Sequence, residues 1–404
     1  MDEEEEVLDL GLLETLGYVG FAEEEAEPDD SSGVLFREPG ASPGYDLVTS
    51  IGPATADIYD GKGRIVHSWH VAHTDALARA HLLENGDILA VGGSKTDVED
   101  EAPEANEGTR AGSQRYLARI AWDGTEIWRR PMRAHHDVEV TPHGYILVLE
   151  EVIRDVGMKR LPHGIVDHAL TLLDGDGRTI ARRSVYEILK TRPDLYQVHF
   201  GRGCPDTRPC DVFHANSIEW LDPEPELESD PLYGPCHVAV SLKHKNLVFI
   251  TDYLTGELIW KWGPGETILQ HEATLTRTGN ILLFDNGRKP RRYSRVVEVD
   301  PRTSLITWEY KADPPEELYS NARGTVQELE NGNVLIAESM EGRAFEVTRE
   351  GKIVWSFAAP RDEKDRRATI RVERYPAAFV EPLLDGAVAP GERQSSSPWS
   401  SSPR

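Results

Sequence analysis

Five short apolar runs that close on tryptophan recur along the chain: Arg64-Ile-Val-His-Ser-Trp69, Thr125-Glu-Ile-Trp128, Glu257-Leu-Ile-Trp-Lys-Trp262, Leu305-Ile-Thr-Trp308 and Lys352-Ile-Val-Trp355. Trp128 and Trp260 stand far enough apart to hold one more copy, and a degenerate one is expected around Ile180 to Val185. After the runs comes a second shared phrase, in which two apolar stretches flank a glycine: His81-Leu-Leu-Glu-Asn-Gly-Asp-Ile-Leu-Ala90, Val138-Glu-Val-Thr-Pro-His-Gly-Tyr-Ile-Leu-Val148, Ala273-Thr-Leu-Thr-Arg-Thr-Gly-Asn-Ile-Leu-Leu283 and Val326-Gln-Glu-Leu-Glu-Asn-Gly-Asn-Val-Leu-Ile336. Asn-Gly and Thr-Gly between apolar runs mark tight hairpins, because glycine takes up positive φ without steric cost. A third phrase, Asp123-Gly124, Asp174-Gly175, Thr255-Gly256 and Glu350-Gly351, turns a second hairpin before the next tryptophan run.

Two hairpins per repeat make a four-stranded antiparallel sheet, and six repeats predict an all-β fold, a six-bladed β-propeller. Stacked face to face, each sheet is buried on both sides, which explains Trp, Ile, Val and Leu where a one-sided sheet would be polar. The propeller is expected over residues 41–380. Residues 1–40 read as an acidic segment, poorly ordered or peripheral, and 381–404 as a disordered tail rich in Ser and Pro. Insertions at 93–115, 154–169 and 190–235 are expected as loops around one mouth of the channel.

The formal net charge of −26 argues against nucleic acid or an anionic membrane surface as partner. An anionic substrate would need local cations to overcome that field. No apolar stretch is long enough to span a bilayer, and the first 30 residues lack the basic start and apolar run of a signal peptide. Of the three cysteines, Cys204 and Cys210 lie in one loop as either a disulfide or two thiols, and no CxxC or His-x3-His spacing suggests zinc.

Counting back eight residues from Gly144 reaches His136, and from Gly279 it reaches His271. His214-Ala-Asn-Ser-Ile218 fits the same frame, although the insertion at 222–235 interrupts its hairpin. Equivalent positions on successive blades sit at equal radius, so His136, His214 and His271 should face one another across the axis. A histidine cluster invites a metal. However, no carboxylate is placed as a further ligand unless Asp137 or Glu272 turns inward, and neighbours on a strand point to opposite faces. A ring of imidazoles with Asn216, Lys243 and Arg288 or Arg323 suits a tetrahedral oxyanion better, with one imidazole attacking it.

His135-His136-Asp137, Asp211-Val-Phe-His-Ala-Asn-Ser-Ile218, Gln270-His271-Glu-Ala273 and Ile281-Leu-Leu-Phe-Asp-Asn-Gly287 before Tyr293-Ser-Arg-Val296 resemble successive signatures of the bacterial arylsulfate sulfotransferases. The resemblance covers residues 45–360, and the phrase at 281–287 is the most specific. It implies a six-bladed propeller that moves a sulfuryl group from a phenolic sulfate ester to another phenol without a nucleotide donor or cofactor. It further implies a ping-pong path in which His271 forms a sulfohistidine while His136, His214 and Asn216 bind sulfate oxygens and assist proton transfer. Lys243, in Ser241-Leu-Lys243, replaces the arginine of that family, a point charge instead of a planar fork, and Thr325 matches its threonine. The resemblance also implies an extracytoplasmic location. Two other readings stand beside it, a non-catalytic propeller that binds a protein partner and a metal-dependent hydrolase or lyase using the same histidines.

Overall fold

The computed structural model describes residues 32–52, 54–93, 115–192, 194, 195, 204, 208–361 and 369–386. Strand β1 (Gly33–Arg37) is followed by three strands of the first blade, β2 (Tyr45–Ser50), β3 (Thr55–Tyr59) and β4 (Ile65–His70). The second blade is β5 (Ala76–Leu82), β6 (Ile88–Gly93), β7 (Tyr116–Ile120) and β8 (Glu126–Pro131). The third is β9 (Ala134–Val140), β10 (Ile146–Arg154), β11 (Ile165–Leu173) and β12 (Thr179–Ser184), with the short β13 (Cys210–Asp211) alongside β11. Then come β14 (Ala215–Trp220), β15 (His237–Leu242), β16 (Leu247–Asp252) and β17 (Leu258–Trp262) in the fourth blade. The fifth holds β18 (His271–Leu275), β19 (Ile281–Asp285), β20 (Arg295–Asp300) and β21 (Leu305–Tyr310). The sixth holds β22 (Thr325–Glu328), β23 (Val334–Glu338), β24 (Arg343–Val347) and β25 (Ile353–Ala358).

Each blade is an antiparallel sheet read outward in chain order, so the protein is a six-bladed β-propeller. The first blade closes the ring: its innermost strand is β26 (Ile370–Tyr375), paired with β2 across most of the chain's length. Arg374 on β26 is buried, bonding Asp46 of β2 (2.7 Å) and pairing with Glu346 of β24, which ties the closing strand to both neighbours.

Among the described residues the buried apolar side chains form six clusters, one at each interface between adjacent blades. Every sheet therefore buries both faces, as its near-continuous apolar strands require. The tryptophan runs are the fourth strands from the axis, β4, β8, β17, β21 and β25, and the degenerate copy is β12. Four of their indoles clip a blade to the next: Trp69 Nε1 donates to Ala121 O (3.0 Å), Trp128 to Gly175 O (3.2 Å), Trp262 to Ser304 O (3.2 Å) and Trp308 to Arg349 O (2.8 Å). In the fourth blade Trp262 makes this bond rather than Trp260.

Gly33–Arg37, which the sequence places in the acidic segment, forms an edge strand on β25. A helix, α1 (Val185–Leu189), follows β12, and a second, α2 (Ala377–Leu384), begins just after β26 and packs Val380 and Leu383 against the first two blades. The insertion at 154–169 extends β10 and β11 into a long hairpin rather than an open loop. Residues 94–114, the remainder of the acidic segment up to 31, and 387–404 lie outside the described residues. Cys204 and Cys210 form a disulfide, and Cys236 is a free thiol. No helix among the described residues is long and apolar enough to cross a membrane.

Candidate functional site

The innermost strands share one irregularity. Register shifts interrupt the pairing of β5, β9, β14 and β18 with their neighbours near Ala78, His136, Asn216 and Glu272. A bulge re-aims side chains, so two successive residues turn toward the axis where a regular strand would turn one. Glu272 does turn inward beside His271, against the expected alternation, and both line one recess. His136, His214, Glu272 and Arg323 hold positive φ there (58°, 46°, 46° and 61°), a conformation that non-glycine residues keep only where the surrounding fold enforces it.

One residue per blade forms a ring at this level: Ile370, Ala78, His136, Asn216, His271 and Gly324 all line the recess. Hydrogen bonds tie the inner strands of neighbouring blades together, Asp137 Oδ2 accepting from Ile218 N (2.9 Å) and Ser217 Oγ from Ala273 N (3.0 Å). On the fourth blade it is Asn216, not His214, that lines the recess. The 222–235 insertion removes the hairpin glycine from which His136 and His271 are counted. His214 precedes β14 and reaches sideways, placing its Nε2 3.3 Å from Nε2 of His136.

His271 is held by its Nδ1, which donates to Asn286 Oδ1 (2.7 Å) and approaches Leu269 O (3.1 Å). Asn286 is fully buried, and its amide donates to Ser320 O (2.8 Å) and Arg323 O (2.5 Å), so only its oxygen can face the imidazole. With the proton fixed on Nδ1, Nε2 carries the lone pair, which accepts Arg323 N–H (3.2 Å). Gly324 must be glycine: at φ +117° a Cβ would stand 2.6 Å from the Phe284 ring.

Opposite, Asp211 fixes His214 through both its backbone N–H (2.9 Å) and Nδ1–H (2.6 Å). His135 stacks edge-on against His136, with ring centroids 3.8 Å apart. Burial, the neighbouring imidazoles and Arg115 hold the His135 pKa well below the ordinary imidazole value.

Beneath the ring the channel is filled by charge. Arg79 pairs with Glu139 (2.9 Å), Asp137 (3.5 Å), Glu272 (3.5 Å) and Glu373, and Arg371 with Glu272 and Asp137 (3.5 Å). Glu219 accepts Leu275 N–H (2.6 Å). Burial pushes the pKa of Glu219 up to about 8, and that of Glu272 up to about 7 against the opposing pull of Arg371.

Of the sequence candidates, His136, Asn216, His271, Thr325 and Arg323 line the recess. His214 joins through His136. Lys243 is buried beside His214, whose carbonyl its backbone N–H meets at 3.0 Å, but it is not among the lining residues. Arg288 is exposed. Sequence reasoning missed Asn286, although the phrase containing it was the most specific one, and it missed Asp211, His135, Arg371 and the carboxylates below.

The fold resembles that of a protein of unknown function from Bacteroides caccae, with a TM-score of 0.51 and 15% identity over 83% of this chain and 100% of that one. The β-propeller domain of Myceliophteria thermophila Cps50 (Swd1) matches 83% of this chain and 87% of that one, with a TM-score of 0.47 and 13% identity. Both likenesses are too distant to speak to function. No curated protein matches the sequence. The family model for arylsulfotransferase (ASST) matches residues 116–360, which include every histidine of the ring and its neighbours. The chain belongs to the arylsulfotransferase family.

Proposed function

We propose that the protein transfers a sulfuryl group from a phenolic sulfate ester to a phenolic acceptor through a sulfohistidine at His271. The observation that carries this reading is the tautomer of His271. Its Nδ1–H is locked onto Asn286, so its Nε2 carries the lone pair, which accepts Arg323 N–H in a ring that lines the recess. As Arg323 N–H passes from Nε2 to a sulfate oxygen, Nε2 attacks sulfur, the bond from sulfur to the aryl oxygen breaks, and the leaving phenolate takes the proton shared between His136 and His214. The acceptor phenol then returns a proton to that pair as its oxygen attacks sulfur and the N–S bond breaks.

Asn216, Thr325 and the cations of Arg323 and Arg371 meet the sulfate oxygens, which answers the overall negative charge of the chain locally. Asp211 is a positioning residue: it holds the His214 ring with Nε2 toward His136, as a carboxylate orients a catalytic imidazole elsewhere.

The test is incubation with para-nitrophenyl sulfate and a phenol, followed by mass mapping. Acceptor-dependent nitrophenol release and a sulfuryl increment on His271, absent from His271→Asn, are expected. An increment on another side chain, or none during turnover, would overturn the assignment.

A further inference from the structure

In a chain whose formal net charge is −26, one side of the recess mouth is basic. The loops that join the second strand of a blade to the third open at the recess end, and those of the first and sixth blades reach it through Ile51 and Ser339. These two loops, 51–54 and 339–342, hold no lysine or arginine. The third and fifth blades, which supply His136 and His271, differ: 155–164 carries Lys159 and Arg160, and 286–294 carries Arg288, Lys289, Arg291 and Arg292 with no acid among them.

The fifth-blade loop stands directly on the ring of site residues. Its first residue, Asn286, holds Nδ1 of His271 (2.7 Å), and its last, Ser294, donates from Oγ to Asn286 O (2.7 Å). Gly287 N–H adds a bond to Ile268 O (3.0 Å). Arg288 and Arg292 each lie two residues from these anchors, no more than about 7 Å of extended chain.

The charge at the tip of the loop is not spent within the fold. Asp285, just before it, is met by Arg291 (2.6 Å) and Arg295 (2.8 Å). Arg288, Lys289 and Arg292 are exposed and pair with no acid among the described residues. Three like charges so close repel one another, so the fold gains nothing by gathering them. With sulfur at His271 and its oxygens met by Asn216, Thr325, Arg323 and Arg371, the aryl ring points out of the recess past this loop. We infer that the protein prefers phenyl sulfates and phenols bearing a second anionic group, a carboxylate being the simplest, which Arg288, Lys289 and Arg292 receive at the mouth. This names the substrate class of the sulfuryl-transfer site and rests on that reading for the direction of the aryl ring.

The test compares para-hydroxyphenylacetate with its amide, para-hydroxyphenylacetamide, as acceptors from para-nitrophenyl sulfate. The two are nearly isosteric, and the methylene keeps their phenols alike in reactivity. The overall charge of the chain would favour the neutral amide, so the sign of the preference is diagnostic. The kcat/KM of the acid should exceed that of the amide roughly 10-fold at about 0.01 M salt, where the Debye length is about 30 Å, and the two should converge at about 1 M, where it is about 3 Å.

The triple variant Arg288→Gln, Lys289→Gln, Arg292→Gln should bring the ratio to about 1 or below, while Arg288→Lys with Arg292→Lys should keep it. Its side chains have no partners to lose, so the triple variant should unfold at the temperature of the parent. Removing the same charge from exposed turns at the opposite end, by Lys62→Gln, Arg178→Gln and Lys352→Gln, should leave the ratio unchanged. No preference for the acid, or an equal loss in both triple variants, overturns the inference. Calorimetric binding of the two phenols makes the same comparison without turnover. Sulfation of both phenols without preference removes this inference and leaves sulfuryl transfer standing. Tighter binding of the acid, lost in the loop variant, with neither phenol sulfated does the reverse.

Discussion

Replacing Asn286 by alanine takes a hydrogen bond from three buried groups at once: the Nδ1–H of His271, which keeps Leu269 O at 3.1 Å, the carbonyl of Ser320, which keeps Ser294 Oγ at 3.3 Å, and the carbonyl of Arg323. A buried group left unpaired costs about 1–3 kcal/mol, so Asn286→Ala should lose on the order of 3 kcal/mol of stability. The effect on rate is separable. With only Leu269 O left at Nδ1, the imidazole is less firmly oriented, and an orienting bond worth about 0.5–1.5 kcal/mol corresponds to a roughly 2- to 10-fold slower sulfuryl transfer. Asn286→Asp supplies the control, since it keeps an acceptor for Nδ1–H while turning a second oxygen on the two carbonyls. It should therefore lose stability but retain most of the rate. The assay is the pre-steady-state burst of nitrophenolate with para-nitrophenyl sulfate, read beside thermal unfolding. A folded Asn286→Ala protein with an unchanged burst, or an Asn286→Asp protein as slow as the alanine variant, would refute the proposed control of the tautomer.

Three other outcomes follow from the charges in the channel. Folded Glu219, raised to about 8, holds a proton that the unfolded chain releases above its ordinary value. Stability should thus fall as pH rises from about 5 to about 8, and Glu219→Gln should flatten that fall in denaturant midpoints. Glu272, raised to about 7, is neutral below that pH and faces an anionic donor as a carboxylate above it. The donor KM should therefore climb through pH 7 and do so much less in Glu272→Gln, a slope shared by both proteins being evidence against this role. Arg374→Met leaves Asp46 and Glu346 buried without their cation and should cost about 3–5 kcal/mol by equilibrium unfolding, where a loss under 1 kcal/mol would tell against the closing ion pair.

The local devices of the fold were legible in the chain. Asn85-Gly86 and Thr278-Gly279 turn hairpins because the signal for a tight turn is carried by adjacent residues. The tryptophan runs mark outer strands because an indole between two blades needs the same apolar neighbours each time. What escaped was nonlocal. Ile370–Tyr375 alternates like any strand, and nothing within it says that it pairs with Tyr45–Ser50. The bulges that turn Glu272 inward leave no mark in residue type, so a rule of strict alternation misplaced it. His136, His214 and Asn216 were expected around one centre as equals, whereas Asn216 lines the recess and His214 reaches His136 from outside the strand. Asn286 stood inside the most specific phrase, yet its task shows only once His271, fifteen residues earlier, is folded beside it.

Closure by β26 orders events at the ribosome. Chains emerge from the amino end, so β2, β3 and β4 leave the exit tunnel long before the strand that completes their sheet. Throughout that interval Asp46 waits without its cation, the first blade exposes a bare backbone edge, and the wall that Arg371 supplies to the recess is missing. Every nascent chain released before residue 375 is consequently an open, adhesive ring that lacks the Arg371 side of the anion pocket, and chaperone protection during synthesis should matter most at that edge.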